Sequence, residues 1–276
     1  MTSEIGLNRI MFPRADVSRF FDLAAAAGVR SVELRNDLPG KGIIDDLSPT
    51  AVVDLSEQKG IRIEAINALQ QFNLPSHRDA AASELDRMIE IASSIRCQAI
   101  VFCPNNDRVD ERSPEEAYDD TVESLEAFEG QLTGSGILGY VEPLGFPQSS
   151  LRSMRSAIRA ISEAGATSYK TVYDTFHHHL GSDTVGWIEQ EFDVSSIGIV
   201  HASGVPSSVA TEVLLDEHRE LIDESDRLGN LEQIVLLERL SYDGIVSPEP
   251  FSPRLAALTE EDIISAVRTC IAQLRR

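Results

Sequence analysis

The chain has 276 residues, 42% of them apolar, with 45 acidic against 24 basic side chains and a formal charge of −21. That length and apolar content exclude wholesale disorder and allow one large domain or two small ones. The charge excludes electrostatic capture of nucleic acid or of an anionic membrane, which needs clustered Lys and Arg.

The first strand signal is IGLNRIMF (5–12), followed by a helix over 16–28 with Asp16 as cap and Gly28 as terminator. VRSVELRN (29–36) alternates as a strand, and SPTAVVDLSEQKG (48–60) reads as cap, first-turn proline and closing glycine. IRIEAINAL (61–69) is a strand. From His77 to Arg96, Leu85, Met88, Ile89, Ala92 and Ile95 recur at helical spacing. QAIVFCP (98–104) is a fourth strand, and Ser113 with Glu116 forms a capping box that opens a helix toward Phe128. Strands then fall at 137–145, 167–175, 196–203 and 243–251, and helices at 149–165, roughly 182–192, 230–244 and 258–276. A polar insertion at about 204–229 follows strand seven.

Eight strand–helix units in strict alternation predict parallel strands with right-handed crossovers, closed as a (β/α)8 TIM barrel in a single domain over 1–276. The competing open doubly wound sheet would carry a glycine-rich phosphate turn after strand one, where this chain has MFPRAD. No segment reaches the roughly 18 apolar residues of a membrane span, and the N-terminus has no charged region followed by an apolar core. Cys97, Cys103 and Cys270 have no Cys-x-x-Cys spacing, which argues against a disulfide framework and fits a reducing, cytoplasmic setting.

Catalytic groups of such barrels sit at the carboxyl ends of the strands. Four consecutive strands end in an ionisable residue: Glu142 in VEP, Asp174 in YDT, His201 in VHA and Glu249 in PEP. A lone buried charge at each place would cost several kcal/mol unless paired or coordinated. A divalent cation neutralises the set. Three carboxylates and an imidazole without thiolate suit Mn2+ first, then Mg2+, Co2+ or Zn2+. Ion pairs with arginine are the alternative.

Those four residues resemble the metal ligands of the xylose-isomerase-like barrel family of sugar isomerases and epimerases, over the whole chain. Within it, VELRNDLP (32–39), EPLGFPQSSLR (142–152), DTFHHHL (174–180), DRLGN (226–230) and EPFSP (249–253) are most similar to inosose (2-keto-myo-inositol) isomerases. The resemblance implies proton transfer on a small sugar or cyclitol through a metal-stabilised enediolate, with Glu142 and Glu249 also serving as proton acceptor and donor. Returning the proton to the neighbouring carbon gives an isomer, and returning it to the same carbon from the opposite face gives an epimer, such as a ketose 3-epimerase would make. The sequence leaves a homo-oligomer open.

His177, three residues after Asp174, matches the family's substrate-polarising histidine, whereas His178 and His179 belong at the rim because consecutive side chains diverge. Arg227 in DRLGN offers fixed donors to a substrate oxygen, with an ion pair to Asp226 as the alternative. Many relatives carry an arginine six residues after the metal histidine, where this chain has Ser207. Glu33 and Asn67 fall near the ends of strands two and three, facing the mouth, as substrate contacts or structural groups. Phe146, Phe176, Phe251 and Trp187 are candidate walls, and Cys103 reads as a small buried residue. An endonuclease IV-like phosphodiesterase would need further histidines and a basic groove, and nothing at the four ligands suggests a barrel that only binds sugar.

Overall fold

In a computed structural model describing residues 3–181, 183–225 and 227–275, eight parallel strands form a closed barrel in the order β1 to β8. The strands are β1 Glu4–Asn8, β2 Ser31–Arg35, β3 Arg62–Leu69, β4 Ala99–Phe102, β5 Leu138–Val141, β6 Tyr169–Asp174, β7 Ile197–Ala202 and β8 Ile245–Pro248. The helices are α1 Val17–Ala27, α2 Pro49–Lys59, α3 Arg78–Ser94, α4 Pro114–Ser135, α5 Met154–Glu163, α6 Thr175–Leu180, α7 Val185–Gln190, α8 Asn230–Arg239, α9 Pro253–Ala256 and α10 Glu260–Leu274. Two groups of residues, 1–64 with 199–276 and 65–198, are each compact. None of the described helices is long and apolar enough to cross a membrane.

In the first group, β1 pairs with β2 and β8, placing Asn8 beside Glu33, and β7 pairs with β8, placing His201 beside Ser247. Val32 and Leu34 alternate with Glu33 and Arg35, and all four are buried, so each face of β2 is covered. Helix α1 packs on α2 and α10. Its entry is fixed by Asp16, which accepts from the Arg19 N–H, and its exit by Gly28 at φ 81°. A buried ion pair ties the loop after β1 to the loop after β2: Arg9 donates to Asp45 at 2.6 Å and to the carbonyls of Ala15, Gly42 and Ile43.

In the second group β3, β4, β5 and β6 pair in sequence, and α3, α4 and α5 pack side by side. Phe102 sits edge-on to Phe72 at 5.6 Å and to Tyr169 at 5.5 Å. Each such buried ring contributes about 1.5–3 kcal/mol of transfer free energy. The capping box at Ser113 and Glu116 is present, and α4 runs on to Ser135.

Several boundaries differ from expectation for local reasons. Strand β1 stops at Asn8 because its side chain accepts from the Ile10 N–H and opens a 3-10 turn over Arg9–Met11. Helix α5 starts at Met154 and is capped by Ser153, since Ser150 and Leu151 are held by backbone bonds with Asn105 and Leu144. The helix expected from Ser182 is α7; Ser182 and the terminal Arg276 lie outside the described residues. The short helices α6 and α9 have no counterpart in the sequence reading.

Candidate metal centre

Strand β7 carries His201, and Glu249 follows directly after β8. The Nε2 of His201 is 2.9 Å from Glu33 Oε2, and its Nδ1 is 3.3 Å from Glu249 Oε2. Two buried arginines hold Glu249, one on each oxygen. Arg35 Nη1 donates to Oε1 at 2.7 Å and Arg219 Nη2 to Oε2 at 3.0 Å. Both guanidinium groups lie against the Phe251 ring, at 5.2 and 4.8 Å from its centroid. Asn8 Nδ2 donates to Oε1 of both Glu249 and Glu33, at 3.2 and 3.4 Å. Burial pushes the Glu249 carboxyl up, but His201, Arg219 and Arg35 outweigh it and hold the group well below the usual carboxylate range. Burial likewise raises Glu33, and its charge contact and hydrogen bond with His201 bring it below its ordinary value.

Glu142 follows directly after β5, and Asp174 ends β6. Asp174 Oδ1 accepts from the N–H groups of Phe176 and His177 at 2.8 and 2.9 Å, so this strand end is also the N-cap of α6. The Cys103 thiol donates to Glu142 Oε2 at 3.5 Å, giving that buried cysteine a polar neighbour. His177 is buried between Phe146 and Phe176, and its Nδ1 accepts from the Gly145 N–H at 3.3 Å, which leaves Nε2 to carry the ring proton. Only glycine fits at 145, since a Cβ there would lie 2.2 Å from the His177 carbonyl oxygen.

Among the described residues, Glu142, Asp174, His201 and Glu249 form a group in which each offers one ligand atom, all within 4.8 Å of one another, and all four are buried. Oxygen and nitrogen ligands about 2.0–2.6 Å from one ion stand no more than about 5 Å apart, so the spacing suits a shared cation. Three carboxylates and one imidazole make a donor set for a divalent metal.

Asn67 is buried within β3. Arg227 is half-buried, with Nε and Nη2 lacking a partner among the described residues; Asp226, its expected alternative partner, lies outside them. His178 is partly buried against Tyr173 and His179 is exposed. Trp187 stacks on Arg155. The sequence reading missed Arg219 and Arg35. Arg219 sits in a polar stretch with no periodic signal. Arg35 does carry one: a second charge two residues after Glu33 on a strand whose alternate positions, Val32 and Leu34, are apolar.

Residues 21–273 match a protein family described as xylose isomerase-like TIM barrel. An inosose isomerase of Halalkalibacterium halodurans is 26% identical over 212 residues, which are 74% of this chain and 72% of that protein. The crystal structure of a xylose isomerase domain containing protein from Salmonella typhimurium LT2 superposes with a TM-score of 0.91 at 35% identity, covering 100% of this chain and 98% of that one. The structure of the IolI protein with a bound zinc atom superposes with a TM-score of 0.88 at 20% identity, covering 98% and 97%, a likeness of fold. With eight strands closed into a barrel and the family match spanning nearly all of it, the chain belongs to the xylose isomerase-like TIM barrel family.

Proposed function

We propose that this protein is a divalent-metal-dependent isomerase of a small sugar or cyclitol ketone, with 2-keto-myo-inositol as its substrate and manganese as its ion. The observation that carries the reading is the buried four-residue group of Glu142, Asp174, His201 and Glu249 at successive strand ends. Its support in substrate class comes from the inosose isomerase relative, and the zinc of the IolI structure is in keeping with a divalent ion in this barrel.

Isomerising an α-hydroxyketone means removing a proton from carbon and returning one to its neighbour. A divalent cation in the group would polarise the carbonyl and offset the negative charge that develops on its oxygen. Glu142, beside the weakly donating Cys103 thiol, takes the carbon-bound proton. Glu249, held as an anion by Arg35, Arg219 and His201, serves as a ligand in place of the donor role expected of it, so the proton that Glu142 accepts is returned by Glu142 to the neighbouring carbon. His177, its Nδ1 occupied by Gly145, presents Nε2–H to a substrate oxygen. Phe146 and Phe176, both buried, line its surroundings with apolar surface and keep water away.

The test is turnover of 2-keto-myo-inositol by manganese-loaded protein in D2O, followed by NMR. Deuterium at the carbon next to the carbonyl, with formation of an isomeric ketone, is the expected result. No exchange and no product removes this substrate, and deuterium with inversion at the same carbon turns the assignment to epimerisation.

A further inference from the structure

We propose that Glu33 is a positioning residue for His201: it holds the imidazole through Nε2, so that Nδ1 is the nitrogen offered to the metal. The proposal rests on reading Glu142, Asp174, His201 and Glu249 as a metal centre, and it reassigns Glu33 from the substrate contact that its strand position suggested.

An imidazole has two nitrogens, and the one hydrogen-bonded to a carboxylate leaves the other for an ion. Here the carboxylate stands 2.9 Å from Nε2, while Nδ1 lies on the side of Glu249, 3.3 Å from its Oε2. Glu249 belongs to the ligand group and Glu33 does not. The two nitrogens therefore face different partners: one the orienting carboxylate, the other the ligand set.

Glu33 is itself held in place. It is 1% exposed and His201 is 0% exposed, so neither side chain can swing into solvent. Asn8, its register partner across β1 and β2, donates Nδ2 to Oε1 at 3.4 Å and shares that same Nδ2 with Glu249 Oε1. The orienter and the neighbouring ligand are thus joined through a single amide, each with its other oxygen toward the imidazole, before any ion arrives. Without Glu33 the ring can turn and present either nitrogen, and its basicity as a ligand falls.

The experiment is competition of the protein against a chelating dye for Zn2+ and for Mn2+, in wild type, Glu33→Ala and Glu33→Gln, with 15N spectra of the zinc-loaded His201 ring. We expect 10–100-fold weaker binding of both ions by Glu33→Ala, substantial recovery in Glu33→Gln, whose amide oxygen still accepts from Nε2–H, and zinc on Nδ1 in the wild type. Wild-type affinity in a folded Glu33→Ala, or zinc on Nε2 in the wild type, overturns the proposal. If Glu33→Ala does not fold, the spectra decide alone: zinc on Nδ1 in wild type and Glu33→Gln supports it, and zinc on Nε2 in either refutes it. A wild-type chain that binds neither ion overturns it as well, whereas tight binding of both without turnover of any ketone removes only the reading of the reaction.

Discussion

Arg219 donates Nη2 to Glu249 Oε2 at 3.0 Å, with side chains only 2% and 3% exposed. It also donates Nε to Ser203 Oγ at 3.1 Å and Nη1 to Asp216 at 3.3 Å. Removing one partner of a buried ion pair leaves the other charge uncompensated, so Arg219→Ala should lower the stability of the metal-free protein by about 3–5 kcal/mol in urea denaturation. Arg219→Lys should recover only part of this, because an ammonium cannot reproduce three donors in a fixed plane. A loss below about 1 kcal/mol for the alanine variant would mean that Arg35 alone suffices to hold Glu249.

Glu142→Gln keeps the volume of the side chain and removes the carboxylate proposed as proton acceptor. Hydrogen exchange at the substrate carbon should slow by about 10²–10⁴-fold, the usual contribution of a positioned acid–base group. Metal content measured on the same sample separates loss of the base from loss of the ion. Exchange at the wild-type rate would show that the acceptor lies elsewhere.

His178 gives stability a dependence on pH. Burial, with His179 adding to it, lowers its pKa from the ordinary 6.5 to about 4. The unfolded chain takes up this proton below about pH 6.5 and the folded one only near pH 4, so the cost is absent at neutral pH and grows as pH falls between those values. By linkage it reaches on the order of 3 kcal/mol at the acid end. His178→Phe, which can keep the contact with Tyr173, should flatten this decline when denaturation midpoints are compared at pH 7 and pH 4.5. Parallel profiles for the two proteins would contradict it.

At Gly145 a methyl group would overlap the His177 carbonyl at 2.2 Å and approach the Gly181 N at 2.8 Å. Gly145→Ala should therefore push α6 away from the loop after β5 and break the hydrogen bond to His177 Nδ1. A stability loss of about 1–3 kcal/mol is expected, as for other overpacked sites. If His177 positions the substrate, kcat/KM should fall while metal affinity is retained; unchanged kcat/KM would remove His177 from the site.

The barrel is legible in the sequence because its punctuation is local. Asp16, Ser48 and Ser113 each accept a backbone N–H three residues on, and Gly28 and Gly60 turn left-handed at the helix ends. The four candidate ligands are legible for a related reason: a charge at the buried end of a parallel strand is costly, and four in succession need a common explanation. Helix α6 is harder to see, because Asp174 acts at once as strand end and helix cap. Arg219 is harder still. It reaches Glu249, thirty residues further along the chain, from inside an insertion with no periodicity, and only the folded loop brings the two together.

That loop has a further consequence. Gly204 and Glu220 exchange two backbone hydrogen bonds at 2.8 Å, and the Arg219 carbonyl accepts from both Phe251 and Ser252. The stretch from 205 to 218 is thereby bracketed at both ends by main-chain bonds that no side-chain replacement removes. Residues 205–215 could therefore be shortened or rewritten with the Arg219 guanidinium still held between Asp216 and Glu249, so the excursion and the ion pair beside it can vary independently.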